Sequence, residues 1–339
     1  MNQLKSSISN CQTTLGLVFL CTLLLMVSTT ARADYSDHPD VARLIGELST
    51  EEGFDALELR KLFSKAEKKQ SIIDAMSRPA EKTKPWHDYR KIFVTSTRTE
   101  QGIEFFHQYR KSLERAEAEF GVPPEIIVAI IGVETRYGRH KGKYRVLDAL
   151  STLAFDYPKR ARFFRKELKH FLILARQQQF EPETLLGSYA GAMGYGQFIP
   201  SSYRSYAIDF DGDQKVDIWN NPIDAIGSVA NYFKRHGWRS GATVVSPAKV
   251  ADNYPAAWAN DGLKPRRTLS ELASANIYPT EPQDMDGKAT LMHFLGDQGD
   301  EYWLGLHNFY VITRYNHSAM YAMAVYQLAQ EIGARLENE

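Results

Sequence analysis

Apolar positions recur along this chain mostly at intervals of three and four. Val41, Leu44, Ile45 and Leu48 form one set, Leu57, Leu59, Leu62 and Phe63 a second, and Ile103 to Leu113 carries a third. This spacing lines one face of a helix, so residues 34–120 are expected to form an N-terminal helical domain. The pattern resumes at Val146 to Leu153, at Arg162 to Arg176, at Asp224 to Phe233, and in a last helix from Tyr321 to about Leu336. Val122 to Gly138 differs: it reads as a buried helix, opened by Pro123 and Pro124 and closed by Gly138, at the heart of a core spanning 121–238. From 239 to 300 the character changes. Short runs such as Ala242-Thr243-Val244-Val245 and Ala289 to Leu295, set among prolines and polar turns, predict a small β-containing domain. A C-terminal segment, 301–339, then returns to the helices. The expected fold class is mainly α (α+β).

Composition narrows this picture. At 339 residues, with 43% apolar and 24% charged side chains, the chain is long enough for two or three domains of ordinary globular type. Residues 1–33 stand apart: Lys5 precedes an apolar run from Leu15 to Val27, and Ala31-Arg32-Ala33 precedes Asp34, the layout of an export signal. Both cysteines, Cys11 and Cys21, fall inside that leader, so the mature protein is expected to hold neither disulfides nor thiols. Bulky Leu20 before Cys21 argues against a lipid-attachment site. The chain balances 41 basic and 41 acidic residues, which leaves no basic field for nucleic acid.

Four stretches carry candidate chemistry. Glu134 continues the stripe of Ile126 and Ile130 at intervals of four, placing an ionisable group against apolar walls. Desolvation there opposes charge, so its pKa is expected to rise and Glu134 to act as a general acid; the plainer reading is a helix-end glutamate paired with Arg136 or Arg139. Pro85-Trp86-His87-Asp88-Tyr89-Arg90 offers either a sugar platform or a cap on the core. The stretch Gly187-Ser188-Tyr189-Ala190-Gly191-Ala192-Met193-Gly194-Tyr195-Gly196-Gln197-Phe198 reads as a compact turn or hairpin against a cleft. It lacks both a phosphate-loop ending and a Gly-x-Ser-x-Gly elbow, so nucleotide binding is not expected and Ser188 reads as a hydrogen-bond donor. Finally, Asp209, Asp211, Asp213 and Asp217 alternate as in the start of an EF-hand calcium loop, with Lys215 at the backbone-ligand position. Gln214 stands where such loops have glycine, and Asn220 stands in place of the closing glutamate, a role Asp224 is expected to take. An acidic surface turn is the alternative. Nothing suggests zinc or an organic cofactor.

Val-Glu-Thr-Arg-Tyr-Gly, Gly-Ala-Met-Gly-Tyr-Gly-Gln-Phe-Ile-Pro-Ser-Ser-Tyr, the Asp209 loop, Asp-Ala-Ile-Gly-Ser-Val-Ala-Asn-Tyr-Phe and Ile-Thr-Arg-Tyr-Asn-His-Ser together resemble the family B lytic murein transglycosylases, from about Trp86 to the last helix. The resemblance implies a lysozyme-like core with a helical and a small β domain. It also implies cleavage of the β-1,4 bond between N-acetylmuramic acid and N-acetylglucosamine in peptidoglycan, leaving 1,6-anhydro ends. By the same resemblance Glu134 is the catalytic acid and base. Tyr89, Ser188, Gln197, Tyr232, Tyr315 and Asn316 become cleft residues, Lys159 and Arg160 contacts to the peptide stem, and the Asp209 loop a structural calcium site. Glycan strands are the expected partner, with other cell-wall enzymes as candidates, and the expected form is a soluble periplasmic monomer. Two alternatives stay open: a lysozyme-type muramidase with a second carboxylate, and a non-catalytic calcium-dependent peptidoglycan-binding protein.

Overall fold

The computed structural model describes residues 35–77 and 84–339. The leader and both cysteines lie outside the described residues, as does 78–83 of the polar link between two N-terminal helices. Thirteen helices are found among the described residues: α1 (Pro39–Glu52), α2 (Ala56–Phe63), α3 (Gln70–Ser77), α4 (Trp86–Phe93), α5 (Ser96–Phe120), α6 (Pro124–Thr135), α7 (Val146–Asp156), α8 (Ala161–Gln177), α9 (Pro200–Tyr206), α10 (Pro222–Arg235), α11 (Leu269–Ser274), α12 (His307–Tyr315) and α13 (Ala319–Leu336). Two-residue strands β1 (Tyr144–Arg145) and β2 (Leu186–Gly187) pair by themselves. A separate antiparallel sheet holds β3 (Val245–Val250), β4 (Arg267–Thr268), β5 (Ile277–Pro279), β6 (Lys288–Gly296) and β7 (Gly299–Gly305) in the order β4-β6-β7-β3-β5.

Local sequence explains many of the helix ends. The Asp55 carboxylate accepts the Leu57 and Glu58 amides at the start of α2, and the Thr95 hydroxyl accepts Arg98 N–H at the start of α5. Gly53 and Gly121 close α1 and α5 in the left-handed region. Helix α6 ends earlier than its sequence predicts. Thr135 is its last residue, and Arg136, Tyr137 and Gly138 follow with φ of 51°, 59° and 84°. The turn folds Tyr137 back beneath the helix, where its hydroxyl donates to the Arg98 carbonyl. Gly132 makes room, because a Cβ there would sit 2.6 Å from the Tyr137 ring.

The 34–120 helices serve two different cores. Helices α1, α2 and α3 pack with α7, α8 and the glycine-rich residues Met193 and Phe198. Helices α4 and α5 join α6, α10, α12 and α13 in the other core, with α13 lying against α4, α5 and α6. A small third core, including Leu269, Leu272, Ile277, Leu291 and Leu304, fills the sheet. Tyr302 to Gly305, which sequence groups with the C-terminal segment, belongs to β7, paired along its length with β6. Its place is set by cross-strand partners such as Met292 opposite Trp303, which local periodicity does not report.

Burial pushes the hydroxyls of Tyr35, Tyr203, Tyr232, Tyr315 and Tyr321 above the ordinary tyrosine range. Above about pH 10 the unfolded chain therefore gives up these protons before the native state does, and stability falls. Thermal melts are expected to be level from neutrality to about pH 9 and to drop beyond pH 10; a level curve to pH 11 would refute the burial argument.

Candidate active site

Glu134 occupies the last turn of α6, half-buried among residues that are almost all solvent-inaccessible. The Tyr321 hydroxyl, from the first turn of α13, donates to Glu134 Oε1 at 2.5 Å. The arginines that could have paired with this carboxylate have other partners as well: Arg136 Nε donates to Gln101 at 3.0 Å, and Arg139 lies 4.0 Å from Glu104. Burial, and then the Glu134 carboxylate, push both the Tyr315 and the Tyr321 hydroxyls well up, so both remain protonated throughout the neutral range.

The glycine-rich segment folds over this helix end as a tight hairpin, with bridges joining Gly187 to Met193 and Met193 to Phe198. The buried Thr135 hydroxyl stitches it to α6, lying 3.0 Å from the Tyr195 carbonyl and accepting Gly138 N–H at 3.0 Å. Ser188 Oγ accepts the Ala190 and Ala192 amides, which leaves its own proton to donate outward. Gln197 holds a left-handed φ of 49° while its amide donates to the Gly194 carbonyl. Gly196 lies so close to α12 that a Cβ would meet Tyr315 Oη at 2.8 Å, and Tyr315 donates to its carbonyl at 2.5 Å.

Glu134, Ser188, Gln197, Tyr315 and Asn316 thus belong to segments joined directly by hydrogen bonds. Tyr89 and Tyr232 take another role. They are 2% and 7% exposed, so they back the site from within the core; Tyr232 donates to the Arg314 carbonyl and packs 4.8 Å from the Tyr315 ring. Trp86, also 2% exposed, stacks on Tyr89 and caps the core. Lys159 and Arg160 sit exposed on the turn before α8, where the Arg160 guanidinium lies 4.2 Å from the Phe163 ring centre. Sequence reasoning missed Tyr321 and Thr135. The signal for Tyr321 was a polar aromatic opening a helix whose other inward residues are aliphatic.

The Tyr321 contact has a measurable consequence. A hydrogen bond to a charged group contributes about 1.5–3 kcal/mol, so Tyr321→Phe is expected to lower the turnover rate about ten- to a hundredfold with a nearly unchanged KM. Muropeptide release at the unaltered rate would remove Tyr321 from the site.

The acidic loop lies between α9 and α10. Carboxylate oxygens of Asp209, Asp211 and Asp213 lie within 4.8 Å of one another. Two calcium–oxygen bonds of about 2.3–2.6 Å laid end to end span about 4.6–5.2 Å, so one hard cation can bridge oxygens at that separation. Gln214 adopts φ 73°, the backbone shape that glycine ordinarily supplies at this position. Asp224, the expected closing ligand, turns both oxygens to the backbone of the loop, accepting the Phe210 and Asp217 amides at 2.8 Å each, and stands outside the group formed by the other three carboxylates. Burial, with Asp211 and Asp209 nearby, raises its pKa.

A single half-buried glutamate at the end of a core helix, held by a tyrosine and roofed by a glycine-rich hairpin, defines a lysozyme-like glycan-cleaving enzyme. The chain belongs to the family described as the transglycosylase SLT domain, whose model matches residues 36–330. It is 47% identical over 308 residues to the membrane-bound lytic murein transglycosylase B of Escherichia coli K12, a match covering 88% of this chain and 84% of that protein. Its fold is similar to the crystal structure of the soluble lytic transglycosylase SltB1 from Pseudomonas aeruginosa, with TM-score 0.85, 55% identity, and coverage of 89% of this chain and 100% of that one. It is also similar to the Escherichia coli lytic transglycosylase Slt35 solved in complex with calcium, with TM-score 0.83, 46% identity, and coverage of 89% and 95%. The protein is a peptidoglycan lytic transglycosylase.

Proposed function

We propose that Glu134 alone carries both proton transfers of the cleavage. Its carboxylic acid protonates the oxygen leaving C1 of N-acetylmuramic acid as the β-1,4 bond breaks. The resulting carboxylate then takes the proton of the same sugar's C6 hydroxyl, whose oxygen bonds to C1 and closes the 1,6-anhydro ring. No water is consumed, so the second carboxylate that hydrolysing glycosidases use has no task, and attack from within the same sugar gains the advantage of proximity. The observation carrying this reading is Glu134 held by Tyr321, which stays a donor across the neutral range. Tyr315 spends its proton on Gly196, so support for the sugar's N-acetyl group falls to Ser188 and to Asn316. Mass spectrometry of products from purified peptidoglycan tests the chemistry. Anhydro ends are expected; reducing ends would mean a muramidase, and no soluble product a binding module.

The Asp209, Asp211 and Asp213 carboxylates, with the Lys215 carbonyl, would hold a structural calcium ion, a reading supported by the calcium complex of the similar Slt35. The ion would neutralise clustered negative charge and stiffen the loop ahead of α10. With calcium at about a hundredfold over its Kd, binding contributes about 2.7 kcal/mol. Chelation is then expected to lower the melting temperature by roughly 5 °C or more; an unchanged melt leaves an acidic surface turn. Among the described residues no helix is long and apolar enough to cross a membrane. Export by the 1–33 leader to a periplasmic site of action, where glycan strands lie, completes the proposal.

A further inference from the structure

A cavity of about 540 Å³ opens between α12 and the small sheet. Three cations from separate parts of the chain line it: Arg239 before β3, Lys264 in the loop before β4, and Lys288 at the start of β6. Among the described residues none of the three has an acid within ion-pair distance, and all are exposed. The turn bearing Asp284 and Asp286, just before Lys288, adds two carboxylates to the lining. This turn is held in place: Leu269 N–H donates to the Gly287 carbonyl at 2.9 Å, and Ser270 N–H to the Met285 carbonyl at 3.0 Å. Leu269 and Leu306 supply an apolar floor. A concave, mostly preformed site of this size with convergent charges of both signs suits a ligand bearing carboxylates and an amine.

Position selects among such ligands. Helix α12 contributes His307 and Tyr310 to the cavity, and at its other end Tyr315 and Asn316 to the site around Glu134. Its nine residues make the two ends about 13 Å apart. Four extended peptide residues span at most about 13–14 Å. We infer that this cavity takes the acidic peptide stem of peptidoglycan, carboxylates toward Arg239, Lys264 and Lys288 and amine toward Asp284 and Asp286. It is a second peptide site besides the turn of Lys159 and Arg160, and it makes peptide-bearing strands the preferred substrate. The inference rests on the peptidoglycan-cleaving reading above.

The test is calorimetric titration of the mature enzyme, in a Lys159→Ala, Arg160→Ala background, with a free stem tripeptide ending in a diamino acid. Saturable binding is expected. It should weaken at least tenfold in Lys264→Glu, Lys288→Glu, and similarly when the peptide's carboxylates are amidated. The milder pair Lys264→Gln, Lys288→Gln should give a smaller loss of the same sign, and matching melts would show that both pairs fold. In the otherwise native enzyme the double glutamate variant should cut peptide-bearing sacculi several-fold more slowly and peptide-free glycan at the parent rate. Absent binding, binding indifferent to both lysine pairs, or equal occupancy by inorganic phosphate overturns the peptide site. Failure of the parent enzyme to cut either glycan would overturn the catalytic reading instead, while the titration still reports on the cavity.

Discussion

Glu134→Gln is expected to abolish the release of muropeptides from purified sacculi while leaving the melting temperature close to the parent value. Glutamine keeps the shape of glutamate and can still accept the Tyr321 hydroxyl, so the packing around α6 survives. It has no acidic proton to give. General acid–base catalysis typically contributes about 10²–10⁴-fold, and here one group is asked to act as acid and then as base. The loss should therefore reach at least about a thousandfold and should appear in the turnover rate, with binding of glycan oligomers retained. Residual cleavage within tenfold of the parent rate would mean that another carboxylate does the work.

The largest expected effect on stability comes from Asp224, which lies outside the chemistry. It is 0% exposed, and one carboxylate clamps both ends of the acidic loop through the Phe210 and Asp217 amides. Alanine at this position strands two buried or half-buried N–H groups, each costing about 1–3 kcal/mol. Asp224→Ala should lower the melting temperature by roughly 10 °C even in the presence of chelator. Asp213→Ala provides the contrast. Its side chain is exposed, so in chelator it should melt like the parent, and it should lose only the rise that calcium brings. If the two variants lost the same stability and the same calcium response, the clamp and the cation site would not be separable.

The contrast also shows where sequence spacing stops being informative. Alternating aspartates identify a loop that can gather oxygens, and the structure brings Asp209, Asp211 and Asp213 together. Spacing along the chain does not say which way Asp224 turns, because its direction depends on amides of the folded loop. The glycine-rich stretch was legible as a turn for a local reason: four glycines in ten positions disfavour a helix. Its attachment to α6 by Thr135 and to α12 by Tyr315 was not legible, since those bonds join residues 60 and 119 positions apart. Trp86 and Tyr89 show the limit from the other side. Composition allows them to be either platform or core, and only burial decides for the core.

By itself the sequence determined the helical periodicity, the buried helix bearing Glu134, the acidic loop and the motifs that place the chain among the lytic transglycosylases, because each depends on neighbours within a few residues. Tertiary structure decided what holds Glu134, where α6 ends, how the N-terminal helices divide between two cores, and which aromatic rings are buried. Those are outcomes of packing between distant segments: the partner of Glu134 is Tyr321, 187 residues along the chain, and no local pattern carries that distance.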